Sequence, residues 1–259
     1  MEKKKKIDMN KVLIIGYGIV GQNLACELER LEPKVVDKYK EIGCSQTLNT
    51  QYDLAFVCVD TPLKGDTLDI TEVENALVEN NSKIYVIKST CPIGTCDKLK
   101  EKYHKRIIFS PEYYGNTQHC NNFDFDFTIL GGDKKDCLEV QQILQKCYDA
   151  RHIFRIVDSQ LAELVKFMEN SWLAAKVSFC CEFFDICNKY GLNYEELREL
   201  FILDPRVNPS HTFIYNDAPY WDSHCLNKDI SYIAQDGELL KSIIDFNLKR
   251  KKKNKYINR

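Results

Sequence analysis

The sequence predicts an α/β fold: a mostly parallel sheet covered by helices, followed by a long central helix and a small α-helical domain. Three observations carry this expectation. Short runs rich in Val, Ile and Phe alternate with amphipathic stretches through residues 11–158, the pattern of strands joined by helical crossovers. A glycine-punctuated turn, GYGIVG, separates the first such run from the first amphipathic stretch. Residues 159–190, SQLAELVKFMENSWLAAKVSFCCEFFDICNKY, contain no proline or glycine and are long enough for about eight helical turns. The chain therefore divides into a basic N-terminal tail at 1–10, a sheet domain at 11–158, the central helix with a helical domain at 159–248, and a basic C-terminal tail at 249–259.

The first strand, residues 11–15, runs into Gly16, Gly18 and Gly21, a G-x-G-x-x-G at a strand-to-helix turn. Such glycines permit a tight turn, close approach of a pyrophosphate, and close packing of helix on strand. Ile19 and Val20 open the helix, whose unpaired N–H groups would face the phosphates. A second strand at 34–36 ends in Asp37, an acid placed to accept hydrogen bonds from both ribose hydroxyls and to repel a 2′-phosphate. The combination predicts a Rossmann-type domain that binds NAD rather than NADP. Lys38 and Lys40 follow and soften that preference. Further strands are expected at 54–59, 84–88, 107–109, 127–130 and 153–157. Ligands of such sheets sit beyond the carboxyl ends of the strands. Thr61, Thr90 and Glu112 follow strands directly and are expected to face the nicotinamide; the competing expectation is that each is a turn residue or helix cap.

On the central helix, Leu161, Leu164, Val165, Met168, Trp172, Ala175, Phe179, Phe183 and Ile186 form one apolar stripe. Asp158 or Ser159 can cap its start and Gly191 can end it. Lys166 and Asn170 share the opposite face; on this helix alone they read as a solvated polar patch. Leu173, Val177, Cys181 and Phe184 make that face apolar in the second half, so the helix is expected to be buried on both sides. It reads as an axle between the two parts of the chain and as the contact of a homodimer. A short helix at 194–203 leads to DPRVNPSHTFIYNDAPYWDSHCLNKD, a long loop of the kind that is usually functional. Cys225 lies near its end, ahead of a helix expected at 228–234, where a thiolate is stabilised. The last helix, 238–249, gives way to KRKKKNKYINR.

At 259 residues, with 44% hydrophobic content and a net charge of −2, the chain offers no bulk reason to bind nucleic acid or membrane. The basic runs at Lys3–Lys6 and from Lys249 read as solvated and disordered. Several of the 12 cysteines, Cys26, Cys58, Cys180, Cys181 and Cys187 among them, fall within apolar patterns. No CxxC pair and no Cys/His set has zinc spacing, so no metal is expected. With no signal peptide and no run long enough to span a bilayer, reduced thiols and a cytoplasmic location are expected.

Taken together these pieces resemble the nucleotide-sugar dehydrogenases, most closely the UDP-glucose 6-dehydrogenases, from Lys11 to about Lys251. GYGIVG resembles that family's first glycine turn, and KSTCPIGT at 88–95 its Lys-Ser-Thr-x-Pro-x-Gly-Thr segment. SPEYYG resembles its Ser-Pro-Glu segment, and ELVKFMENSWLAAKVSFCCE the helix with its Lys and Asn. DPR at 204–206 and HCLNKD around Cys225 resemble its Asp-Pro-Arg and Cys-Leu-Pro-Lys-Asp segments. The resemblance implies oxidation of a sugar C6 alcohol to the carboxylate by NAD, with a nucleotide sugar or a related sugar alcohol as substrate. Cys225 would form a thiohemiacetal and then a thioester. Lys166 and Asn170 would hold the developing oxyanion, Glu112 would assist hydrolysis, and Thr90 and Asp229 would position water or a base.

Three departures stand against this pattern. The family's UDP-gripping third domain is not in this sequence, so the chain reads as a shortened form. Tyr220, Asp222 and Ser223 stand where the family's loop has glycines, and Asp222 would put negative charge near a diphosphate. Asn116 and Asn227 replace a family Glu and Pro. Two other readings stay open: an NAD-binding relative without turnover, serving as a regulatory or partner subunit, and a two-electron hydroxyacid dehydrogenase in which Cys225 has no role.

Overall fold

The computed structural model describes residues 10–43, 49–115 and 125–257; Lys3–Lys6 and Asn116 lie outside them. The described residues form two compact units, one ending at Lys166, the other running from Phe167 onward and including Leu63–Leu68.

The first unit is a seven-stranded sheet: β1 (Val12–Ile15), β2 (Lys34–Val36), β3 (Tyr52–Val57), β6 (Ser82–Ile87), β7 (Arg106–Phe109), β8 (Phe127–Gly131) and β9 (Ile153–Val157). The order is β2-β1-β3-β6-β7-β8-β9, and every pairing is parallel except β7 with β8. Successive side chains alternate between faces, and both faces are buried. Leu13, Ala55, Val57, Tyr85, Ile87 and Phe109 pack on one side with α2 (Thr71–Glu79), α3 (Thr95–Tyr103) and Ala162. Val12, Ile14, Phe56, Val86 and Ile108 pack on the other with α1 (Ile19–Glu27) and α4 (Lys134–Leu144). Continuous apolar strands, rather than alternating ones, are what a doubly covered sheet requires, and each such side chain contributes roughly 1.5–3 kcal/mol on burial.

Helix α5 (Ser159–Tyr190) is continuous, and the Asp158 carboxylate caps it by accepting the Gln160 N–H at 2.9 Å. Its expected orientation is corrected. The apolar stripe faces solvent in the single chain: Met168 is 74% exposed and Trp172 63%, while Lys166 and Asn170 are buried at 5% and 4%. Periodicity told which residues share a face but not which face turns inward. In the first half of the helix the outer face carries Leu161, Leu164, Met168 and Trp172.

The second unit contains α6 (Tyr194–Phe201), α7 (His224–Ile233) and α8 (Glu238–Ile257). One core joins Ala174, Trp221, Leu226, Ile230 and Ile243; another joins Cys180, Cys181, Cys187, Tyr194 and Ile214. A hairpin of β4 (Leu63–Lys64) and β5 (Thr67–Leu68) was not anticipated, although Gly65-Asp66, with Gly65 at φ +60°, is a two-residue hairpin turn. Three further expectations are corrected. Helix α7 begins at His224, because the Ser223 hydroxyl accepts the Leu226 N–H at 3.1 Å and caps it there. The segment from Lys249 is no solvated tail but the end of α8, helical to Ile257. Cys26, expected within an apolar face, is exposed on α1. Among the described residues no helix is long and apolar enough to cross a membrane.

Candidate functional site

The glycine turn has the form a dinucleotide needs. Gly16 sits at φ +93°, and a Cβ there would come within 2.4 Å of the Cys58 carbonyl oxygen; a Cβ on Gly21 would come within 2.0 Å of the Gly16 oxygen. Those two glycines are required by the chain itself. Gly18 is different. Its φ of −76° suits any residue, and beyond its own local backbone nothing lies within 4 Å of where its Cβ would be. Its bareness leaves room in front of α1, whose first turn carries no side-chain cap. That is the space a pyrophosphate occupies against Ile19 and Val20 at a helix N-terminus.

Asp37, just past β2, is tied to the same turn. Its carboxylate accepts the N–H of Tyr17 at 2.7 Å, of Tyr39 at 2.9 Å and of Lys40 at 3.0 Å. Burial pushes this carboxyl up, but the three N–H donors outweigh it and hold the group below its ordinary value. An acid at the end of β2 has the chemistry that recognition of a ribose requires. Wild-type protein should bind NAD more tightly than NADP, and Asp37→Ala should erase the difference. Because Asp37 also braces Tyr17, that variant should lose roughly 10- to 100-fold in NAD affinity, the range of a hydrogen bond to a charged group. Titration calorimetry with both dinucleotides checks this, and equal wild-type affinities refute it.

Thr61, Thr90 and Glu112 each lie in a segment that follows a strand of the sheet. Thr61 is buried, and its hydroxyl donates to the Thr90 carbonyl at 2.7 Å, stitching the segment after β3 to that after β6. Thr61 therefore serves the chain as a brace. Ser89, which the sequence reading passed over, adds a second stitch by accepting the Val59 N–H at 3.0 Å. Glu112 is buried; one oxygen accepts the Tyr114 N–H at 2.9 Å and the other lies 3.5 Å from the Lys166 Nζ. Lys166 also lies 5.4 Å from the centre of the Tyr113 ring.

Two more residues here were missed. Glu163 is fully buried, and its carboxylate takes the N–H groups of Gly94 at 2.5 Å and Cys96 at 2.9 Å, capping α3 from α5. Lys88 approaches the Ser110 hydroxyl at 3.2 Å and the Pro111 carbonyl at 3.3 Å, fixing the residues just before Glu112. The signal for Lys88 was its place at the head of KSTCPIGT. Burial lowers its ammonium below the ordinary 10.5. Lys88 thus binds its proton less tightly when folded, a penalty present at neutral pH that fades as pH approaches 10.5. The stability of Lys88→Met relative to wild type should become less favourable over that rise. Urea unfolding of both proteins across the range measures it, and a pH-independent difference counts against the buried charge.

In the second unit, Asn170 donates to the Asp229 Oδ2 at 2.6 Å, and the Lys228 Nζ lies 2.6 Å from Oδ1. Asp229 is 1% exposed. Lys228 had not been singled out; its adjacency to Asp229 in HCLNKD was the available clue. Cys225 is exposed and occupies the first turn of α7. Two polar residues of α5's inward face are thus matched to a carboxylate: Lys166 to Glu112, Asn170 to Asp229. Polar groups that are expensive to bury and are buried in such sets make this face the candidate site of chemistry.

Comparison with known proteins identifies the family. Residues 39–152 match the NAD binding domain of the UDP-glucose/GDP-mannose dehydrogenase family and residues 160–255 its central domain, together well over half of the chain. The glycine turn and Asp37 precede the matched region, so their assignment rests on the geometry above. The UDP-N-acetyl-D-mannosamine dehydrogenase of Pyrococcus horikoshii is 26% identical over 83% of this chain and 57% of that protein. The UDP-glucose 6-dehydrogenase of Rickettsia bellii is 30% identical over 87% of this chain and 54% of that protein. The chain thus spans little more than half the length of these relatives. A UDP-glucose dehydrogenase structure from Pyrobaculum islandicum superposes with a TM-score of 0.74 at 20% identity, covering 99% of this chain and 70% of that one. A 3-hydroxyisobutyrate dehydrogenase from Mycobacterium tuberculosis superposes at 0.64 with 15% identity, covering 93% of both chains. At these identities the structural matches speak for the fold.

Proposed function

The chain belongs to the UDP-glucose/GDP-mannose dehydrogenase family, and from that premise we propose that it oxidises the C6 alcohol of a nucleotide sugar to the carboxylate, with Cys225 as covalent catalyst. NAD supplies the chemistry of hydride acceptance, once for each of two oxidations. The chain's own groups do the rest. Thr90 and Asp229 position the water or base that takes the alcohol proton, leaving an aldehyde. The Cys225 thiolate adds to the aldehyde carbon, and the oxygen that gains charge is held by the Lys166 ammonium and the Asn170 amide. Removal of the second hydride leaves a thioester. Water, assisted by Glu112, cleaves it, releasing the carboxylate and restoring the thiol.

The observation that carries this reading is the burial of Lys166 and Asn170 on one face of α5, each bonded to a carboxylate. A solvated patch has no use for either pairing. The exposed stripe on the other face of α5 supports a homodimer through that helix. The test is NADH production across a panel of UDP- and GDP-sugars with NAD in excess, with product mass analysed. NADH at two per carboxylate with any of them supports the proposal. NAD binding without NADH production from any sugar nucleotide overturns it in favour of a binding subunit.

A further inference from the structure

The basic end of α8 does something that neither its composition nor the dehydrogenase reading assigns. Asn247, Arg250, Lys251 and Asn254 are spaced i, i+3, i+4 and i+7, which makes them one stripe on the helix. That stripe reads the segment 217–222 almost residue by residue. Asn247, 3% exposed, accepts the Trp221 N–H at 3.0 Å and donates to the Trp221 carbonyl at 2.9 Å. The Arg250 Nε donates to the Pro219 carbonyl at 2.6 Å, and the Asn254 amide to the Asp217 carbonyl at 2.7 Å. The Lys251 Nζ lies 2.7 Å from the Asp222 carboxylate and 5.6 Å from the centre of the Tyr220 ring.

The residues gripped in this way lead directly into Ser223, the cap of α7, and Cys225, in its first turn. Asp222 also accepts the Asn227 side-chain N–H at 2.7 Å, across the first turn of the same helix. The side chains that stand in place of loop glycines are therefore in use. Ser223 caps the helix, Asp222 staples its first turn, and Lys251 offsets the Asp222 charge. The segment is held by side chains where glycines would have left it loose.

We propose that α8 is a positioning element for Cys225: the stripe Asn247, Arg250, Lys251 and Asn254 holds residues 217–222 in the conformation that starts α7 and presents the thiol, with Lys251 neutralising Asp222. The catalytic weight of this clasp rests on the reading of Cys225 as nucleophile, but the clasp can be tested without substrate. The full chain is labelled with iodoacetamide over a range of pH, alkylation of Cys225 is followed by peptide mass spectrometry, and backbone hydrogen exchange is read over 217–226.

Lys251→Met should speed exchange in that window by about threefold, the scale of one partly exposed ion pair. It should also raise the alkylation midpoint by about half a pH unit, because Asp222 is left uncompensated three residues from the thiol. Lys251→Arg should restore both, and Asp222→Asn in the Lys251→Met background should return the midpoint to its wild-type value while exchange stays fast. Purely structural damage would not produce that split. An unchanged midpoint and exchange rate in Lys251→Met overturn the proposal, as does faster exchange spread evenly over all of residues 167–257. Failure of every sugar nucleotide to yield NADH would leave these readouts unaffected, so the two hypotheses fail separately.

Discussion

Cys225→Ala is expected to stop carboxylate formation while sparing the fold. Cys225 is exposed, so its truncation should change stability by no more than about 0.5 kcal/mol. Loss of a covalent nucleophile is another matter. The rate of carboxylate formation should fall by more than about 10³-fold, as it does when the nucleophile of a catalytic set is removed. The aldehyde has then no route to a thioester, and NADH should not exceed one per sugar consumed. Cys225→Ser should behave in the same way, since a serine hydroxyl without an activating base is a far weaker nucleophile than a thiolate. Product analysis by mass spectrometry decides the matter. Undiminished carboxylate from the alanine variant would exclude the thioester route, and serine with full turnover would point to a simple two-electron oxidation.

Lys166→Met should have two effects of different origin. The first is on stability: Glu112, buried and 3.5 Å from the Lys166 Nζ, loses its cation. Breaking a buried pair from one side destabilises by roughly 3 kcal/mol, far more than the intact pair contributes. Adding Glu112→Gln should recover most of it, because the remaining group is neutral. The second effect is on chemistry. An ammonium that meets the oxygen where charge develops contributes on the order of 10²- to 10³-fold in turnover. That loss should persist when the double variant, whose stability has returned, is compared with Glu112→Gln alone, which carries any deficit in hydrolysis. Denaturant unfolding and steady-state rates on Lys166→Met, Glu112→Gln and the double variant separate the effects; a double variant as active as Glu112→Gln alone would remove Lys166 from the reaction.

Much of this was legible in the residues. The glycine turn and the strand boundaries were readable because their geometry is local: a φ of +93° at Gly16, and an acid just past β2, 21 residues on, follow from short-range geometry. Helix α5 was readable as a helix but not in its orientation. Apolar residues turn inward as a rule, and that rule placed Leu161, Met168 and Trp172 inside. Beside Phe167, the inward face of its first half instead carries Ala162, Glu163, Lys166, Asn170 and Ala174, small or polar residues; the partners of the polar ones, Gly94, Glu112 and Asp229, are distant in sequence. No local pattern announces such partners. The start of α7 was misplaced by four residues because Ser223 was weighed as a substitute for glycine rather than as a cap. The end of α8 was misjudged from its composition. Its charges look like those of a solvated run until Asn247, Arg250, Lys251 and Asn254 are placed at helical spacing.

The oil-coloured side of α5 makes this a protein whose melting point should depend on how much of it is in the tube. Leu161, Leu164, Met168, Trp172, Phe179, Phe183 and Ile186 are all more than a third uncovered in one copy. If a twin molecule shelters them, mass action couples unfolding to dissociation, and a hundredfold dilution should lower the transition by several degrees. Calorimetry at two concentrations would reveal it, and Trp172→Lys should make the melt indifferent to dilution.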